Sequence, residues 1–333
     1  MFNFWLQKRS LLRYILLPFS YIYGALVALN YKMGRHERLN IPVICVGNVT
    51  MGGSGKTPII REIARILRDD KGMRPHILSR GYGRSTRAAM RVEAHHSAKE
   101  SGDEAKMLSL NFPVWVGKDR FVTGKMAQKA GADILLMDDG LQNNSLHKDI
   151  SIIAFDAGVY LGNGSVFPAG ILREFASNVF KRADIFISTH AEGDKATKIP
   201  RILPDNIPHI SARLSISEAI KSELAKNSDK RYVAFAGLAR PEKFFNSLKS
   251  QKMNIIDYKK YPDHYQYSEE DEQELQQWAK KCKATLITSE KDKIRLSNDL
   301  QRQVFSLDMS LTIDKWDILD ALITPIIKKP RQE

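Results

Sequence analysis

The sequence predicts an α/β protein: a mostly parallel sheet flanked by helices, with a second, smaller α/β unit and an apolar helix at the N-terminus. Three observations carry this. Short β-branched runs alternate with helical patterns from residue 42 to residue 189 and again from 233 to 292; a glycine-rich loop lies between one strand and the next helix; and residues 14–31 carry no charge. Continuous apolar strands separated by helices are buried on both faces, so helices must cover the sheet above and below. At 333 residues the chain exceeds one compact core, and 43% hydrophobic against 27% charged residues excludes a disordered chain.

The first element is YILLPFSYIYGALVALNY, residues 14–31, at the lower length limit for a membrane-spanning helix. Pro18 interrupts it and no small-x-small cleavage site follows, which argues against a signal peptide. Lys8, Arg9 and Arg13 precede it and Lys32, Arg35 and Arg38 follow, so its flanks give no orientation for spanning. Residues 1–33 suit a helix lying on an anionic leaflet, with tyrosines at headgroup level; a span and a buried helix are the alternatives.

The alternating pattern then begins. PVICVGN reads as a strand and TPIIREIARILRD as a helix with Ile59, Ile60, Ile63, Ile66 and Leu67 on one face. HILSRGY, ADILLMDDG, ISIIAFD and ADIFIST read as further strands, with DEAKMLSL a helix among them. Near residues 190–210 the pattern loosens into Pro, Asp and Lys, which places a boundary between a nucleotide-binding unit, 34–190, and a smaller unit, 191–330, that closes a cleft. The second unit holds strand-like VAFAGLA, helix-like PEKFFNSLK, the loop YPDHYQYSEED, a polar helix to Cys282 and strand-like ATLITSEKD. Ligands of such sheets sit beyond the carboxyl ends of the strands.

The glycine-rich loop, VGNVTMGGSGKTP, matches the end of a Walker A sequence through Gly55, Lys56 and Thr57, but position 50 is Thr where that pattern has Gly. Thr50 and Met51 lead into a run whose backbone N–H groups, at Gly52, Gly53, Ser54 and Gly55, form an anion-binding nest. Lys56 would reach the β- and γ-phosphates and Thr57 would ligate Mg²⁺. Pro58 is tolerated in the first turn of the following helix. Asp138 and Asp139 end the strand ILLMDDG and supply a Walker B partner for the ion. The pair of motifs predicts a P-loop NTPase-like fold that binds a nucleoside triphosphate with Mg²⁺.

A net charge of +13 calls for an anionic partner, but no Cys/His finger spacing or aromatic-glycine run supports nucleic acid. Two cysteines build neither a disulfide framework nor a four-ligand zinc site, which fits a reducing, cytosolic setting. The adjacent His95 and His96 read as an exposed face rather than a metal pair. A regulatory GTPase needs N-K-x-D and D-x-x-G, and SEKDK and DDGL have the wrong spacing. A kinase or an ATPase machine remains.

VGNVTMGGSGKTP, ILSRGYGR, GDEA, DDGLQ, LRE, PDH and SEKD, in this order behind a basic apolar helix, resemble the tetraacyldisaccharide 4'-kinase family across essentially the whole chain. In that family Thr at position 50 belongs to the loop. The resemblance implies transfer of the ATP γ-phosphate to the 4'-hydroxyl of a lipid A disaccharide 1-phosphate, at the cytosolic face of the bacterial inner membrane, with no obligatory protein partner. A membrane-associated P-loop ATPase coupled to a protein partner is the competing reading.

The resemblance also implies site roles. Asp103 matches the family's catalytic base, although a helix N-cap is the plainer reading of its position. His264 matches the histidine supporting that base, and the two would meet when the cleft closes. Arg173 and Glu174 would stabilise transferring phosphate and hold Mg²⁺ through water, or form a surface salt bridge. Arg80 and Tyr82 would contact the substrate headgroup or build a plain turn; Gln142 would position the headgroup or the metal shell. Glu290, Lys291 and Asp292 would reach the nucleotide base or close the cleft. The chain departs from the family at Asn143, where a histidine is expected, and at PAGI before Leu-Arg-Glu, where Gly-Pro is usual.

Overall fold

The computed structural model describes residues 3–7, 9–191, 203–226, 229–238, 241–251 and 253–328. Its strands run β1 Val43–Gly47, β2 Pro75–Ser79, β3 Met90–Arg91, β4 Val114–Val116, β5 Ile134–Asp138, β6 Ile150–Asp156, β7 Ile185–Ala191, β8 His209–Ile216, β9 Arg231–Ala236, β10 Asn254–Lys260, β11 Thr285–Ser289, β12 Phe305–Leu307 and β13 Met309–Ile313. A nine-stranded sheet has the order β13-β8-β7-β6-β1-β5-β2-β4-β3. All its pairings are parallel except the two at its edges, β13 with β8 and β3 with β4. A four-stranded, wholly parallel sheet has the order β10-β9-β11-β12.

The period of a strand explains why β1 reads as an unbroken apolar run. Ile44 and Val46 enter a core with Ile59, Ile60, Ile63 and Leu67, while Val43 and Cys45 enter a second core on the opposite face. The first core is the apolar face of the helix α2, Lys56–Asp69, which follows the glycine loop. Small helices α3, Ala98–Ser101, and α4, Asp103–Ser109, lie near the carboxyl end of β2.

The sheets do not part at residue 190. β8 pairs parallel with β7, and after the small sheet the chain returns as β13, antiparallel to β8, and as the helix Trp316–Lys328, whose Leu319 and Ile323 enter the first core. The expected 191–330 unit is therefore split, and the small sheet draws its strands from residues 231–307 alone. The order of elements along the chain concealed this return, because an antiparallel edge strand has the same local pattern as any other. Residues 192–202 of the expected boundary, Lys8, and the last residue of the strand-like VAFAGLA lie outside the described residues.

The N-terminal helix α1 spans Leu11–Lys32 and buries only Ser20 and Gly24, which removes the buried-helix alternative. Ser20 Oγ accepts the Ala169 N–H at 2.9 Å, and a Cβ at Gly24 would stand 2.5 Å from the Phe175 ring, so the helix seats on residues 167–175 through its small residues. Its other faces present Leu11, Ile15, Phe19, Ile22, Leu26 and Leu29 to the surroundings. By length and composition it is able to cross a membrane.

The burial contrast sets an expectation. Ile63→Ala, at a fully buried position, should lower unfolding free energy by about 2–5 kcal/mol. Ile22→Ala, 60% exposed, should stay within about 0.5 kcal/mol. Denaturation midpoints of both variants in detergent solution check this, and equal losses would place α1 in the core.

Candidate active site

The phosphate loop connects β1 to α2 at the carboxyl edge of the nine-stranded sheet. Thr50 is 6% exposed and forms a β-bridge with Leu172, and the Met51 N–H donates to the Ile171 carbonyl at 2.8 Å. An extended, bridged residue needs no glycine, so Thr is accommodated at position 50. The turn falls at Gly52 (φ 112°) and Gly55 (φ 75°), where a Cβ on Gly55 would also meet Thr189 at 2.7 Å. At Gly53 a Cβ would meet no protein atom within 4 Å, so the protein itself leaves that position open.

The same bridge delivers Arg173, whose N–H donates to the Val49 carbonyl at 2.8 Å. Its guanidinium grips both oxygens of Asp139 at 2.7 and 2.8 Å, and Lys56 Nζ stands 3.7 Å from Asp139 Oδ1. Burial works to raise the Asp139 carboxyl, but Lys56 and Arg173 outweigh it and hold it below the usual carboxylate range. Burial likewise lowers Lys56, opposed by Asp139.

Asp138 has the opposite environment. It is 5% exposed, its Oδ1 has no hydrogen-bond partner, and burial, reinforced by the Asp139 charge, pushes it up to about 7. Ser54 Oγ and Asn48 Oδ1 are also buried without partners at this edge. Such orphans are costly unless something completes them. A phosphate-bound cation fits: Asp138 offers an unpaired anionic oxygen and Thr57, in the first turn of α2, a hydroxyl. Among the described residues no three His, Cys, Asp or Glu converge to hold an ion unaided. Mg²⁺ is held by one or two carboxylates together with phosphate oxygens, so no such cage is required.

Glu174 is not available for the metal role expected of it. It is 1% exposed, Oε1 accepts from Gln142 Nε2 at 3.0 Å, and Oε2 pairs with Arg182. Gln142 also donates to the Asn48 carbonyl at 3.2 Å, so its amide braces the loop rather than facing a headgroup. Asn143 builds a turn, its Oδ1 accepting from the N–H groups of Ser145 and Leu146 at 3.2 Å each. That is its structural role in place of the family histidine.

Across the cleft, the small sheet contributes its own carboxyl edge. His264, in the left-handed region (φ 58°), donates from Nδ1 to Asp103 Oδ2 at 2.8 Å, so the expected pair is assembled. Asp103 opens α4 without capping it; Gly102 holds the N-cap position with no side-chain bond, and the plainer reading of Asp103 fails. Lys291 pairs with Glu104 at 2.6 Å and Glu290 with Arg61 at 2.8 Å, while Asp292 is turned inward onto Arg295 at 3.0 Å. Of the two roles expected of this segment, the structure displays cleft closure. Tyr82, 73% exposed, lies 6.2 Å from the His264 ring; Arg80 is exposed at the end of β2. His95 is exposed and His96 Nδ1 accepts the Glu93 N–H at 2.9 Å.

Two arginines escaped the sequence reading. Arg120 is 3% exposed, burial lowers it to about 10 against the pull of Asp138, and its Nε is unpartnered. Its position just past β4, at the sheet edge where ligands bind, was the available signal. Arg295 donates to Asp103 Oδ2 from Nε at 3.0 Å and Nη2 at 2.6 Å. No local signal foretold a partner so distant in the chain.

A family described as tetraacyldisaccharide-1-P 4'-kinase matches residues 12–328. The chain belongs to this family. Among relatives, the tetraacyldisaccharide 4'-kinase of Rickettsia felis is 37% identical over 321 residues, covering 96% of this chain and 95% of that one. That of Hyphomonas neptunium is 37% identical over 326 residues, covering 97% and 94%. A crystal structure of LpxK from Aquifex aeolicus in complex with ATP superposes with a TM-score of 0.78 at 26% identity, covering 95% of this chain and all of that chain. Family membership favours the kinase over the protein-coupled ATPase.

The Asp138 environment gives a stability test. Its folded pKa, about 7, lies above the unfolded value, so the native state holds the extra proton between them and loses stability as pH rises from about 4 to 7. Asp138→Asn removes that loss. The ligand-free variant should therefore gain on the wild type by up to a few kcal/mol from pH 5 to pH 8, and level off beyond. Denaturant midpoints at both pH values measure it; a constant offset would place the raised group elsewhere.

Proposed function

We propose that this chain transfers the γ-phosphate of ATP to the 4'-hydroxyl of a tetraacylated lipid A disaccharide 1-phosphate at the cytosolic face of the inner membrane. The observation that carries the mechanism is the Asp103–His264 pair beside the phosphate loop, with Glu104 and Lys291 within electrostatic reach of Asp138 and Lys56. The loop amides and Lys56 bind the phosphates, and Arg173, fixed by Asp139, faces the charge that develops during transfer. Asp138 and Thr57 would hold Mg²⁺, which neutralises phosphate charge. Asp103 takes the proton of the attacking hydroxyl while His264 holds and stabilises it. Arg80 and Tyr82, exposed beside the pair, are the proposed headgroup contacts. Docking of the small sheet excludes water from the reacting groups.

The membrane part rests on α1. A soluble cleft extracts a four-chain lipid at great cost, so the enzyme works where the headgroup is. The exposed apolar faces of α1 supply the contact, and Arg9, Arg13 and Lys32 each add about 1 kcal/mol near an anionic surface.

Two experiments test these readings. Asp103→Ala and His264→Ala should each lose most of the turnover, and the double variant little more, because groups acting as one unit are not additive. Independent, multiplying losses in labelled-phosphate transfer would argue against the pair. Ile22→Asp combined with Leu26→Asp should abolish flotation with anionic vesicles yet keep activity on detergent-dispersed acceptor. Flotation of the wild type should weaken with salt if α1 lies in the interface, and not if it spans. Unchanged flotation of the double variant would leave α1 without an anchoring role.

A further inference from the structure

We propose that Arg295 is a positioning residue for this reaction: it clamps one oxygen of Asp103 and leaves the other turned to the acceptor hydroxyl. The proposal rests on the reading of Asp103 as the proton acceptor.

The Arg295 side chain has no solvent exposure, so its charge requires partners. Nη1 donates to Asp292 Oδ1 and to the Gly237 carbonyl, each at 3.0 Å. Asp292 is itself fixed by the Gly237 N–H at 3.0 Å, the Tyr267 hydroxyl at 3.1 Å and the Ser289 hydroxyl at 2.6 Å. The guanidinium is thus oriented entirely from within the small sheet's own residues, and its remaining fork, Nε and Nη2, meets Asp103 across the cleft at 3.0 and 2.6 Å.

Both of these bonds, and the one from His264 Nδ1, fall on Oδ2 of Asp103. A carboxylate has about two acceptor directions per oxygen, so three donors saturate Oδ2. Oδ1 takes no hydrogen bond from any described residue and is not among the fully enclosed orphans. It is the oxygen free to accept. As the hydroxyl proton passes to Oδ1, the hydroxyl oxygen bonds to the γ-phosphorus, and the bond from that phosphorus to the β–γ bridging oxygen breaks to release ADP. Lysine, a point charge on a flexible stem, would not supply the same two-pronged hold. Other charged or titratable groups around the pair are Glu104, Lys291, Asp263 and Tyr267, with Asp292 behind Arg295.

The test compares Arg295→Met, Arg295→Lys and Asp103→Asn in the full-length enzyme, with MgATP and detergent-dispersed acceptor. Arg295→Met should lose about 100-fold in kcat with KM for MgATP within about threefold, and Arg295→Lys should recover part of the loss. Arg295→Lys retains the buried charge and supplies the readout if the Met variant does not fold. A purely structural role would lower kcat only in step with melting temperature and would raise KM for MgATP alongside, with no recovery of kcat in Arg295→Lys beyond its recovery of stability, and would overturn the clamp. An active Asp103→Asn would overturn the underlying base assignment; an inactive Asp103→Asn beside a fully active Arg295→Met would overturn the clamp alone.

Discussion

Oxygen Oδ2 of Asp103 receives hydrogen bonds from Arg295 and His264, and through them the two sheets become one enzyme. Asp103 belongs to the unit that carries the phosphate loop; its donors belong to the small sheet. With the carboxylate 5% exposed and the guanidinium buried, separating them would leave both charges poorly solvated unless the cleft fills with water. The docked arrangement is therefore favoured by the same charges that orient the proposed base. Lys291–Glu104 and Arg61–Glu290, at 2.6 and 2.8 Å, add two further ion pairs between the same two units.

At the other end of the site, two neighbouring carboxylates are given different tasks by their surroundings. Asp139, facing outward from the strand end (φ 50°), gathers Lys56 and Arg173 and stays ionised. Asp138, one residue earlier, points into the sheet edge, where burial and its neighbour's charge oppose ionisation. The Mg²⁺ proposed to enter with ATP would remove that opposition, so on that reading the site gains most when the phosphates and the ion enter together. The cost of keeping Asp138 unpaired beforehand falls on the stability of the ligand-free protein, as expected where a fold keeps a binding group unsatisfied.

Much of this was legible in the sequence because the informative signals are local. Apolar runs gave the strands, the period of Ile59, Ile63 and Leu67 gave α2, and glycines beside Lys56 gave the loop. What escaped depends on contacts between residues far apart in the chain. The return of β13 to β8 joins segments about a hundred residues apart and has no local mark. Glu174 looked like a ligand until its oxygens were found taken by Gln142 and Arg182. Arg295 is one of 51 lysines and arginines, and nothing local sets it apart from the others. Buried charges are the hardest elements to read, since the composition of a segment does not say which cation will be enclosed.

The contacts of Arg182 reach the N-terminal helix. Its guanidinium lies 4.0 Å over the ring of Tyr31, in the last turn of α1, and Lys148 approaches the same ring at 5.1 Å. The same guanidinium pairs with Glu174, which holds Gln142, which in turn braces the carbonyl of Asn48 at the start of the phosphate loop. The Arg182 side chain is 17% exposed, and cation–π seating is strongest where water is excluded. The N-terminal helix and the glycine loop are thus joined by a continuous chain of side-chain contacts. Under the proposed membrane role of α1, these contacts would set the distance between a headgroup in the bilayer and the γ-phosphate, as transfer from a soluble donor to a membrane-bound acceptor demands.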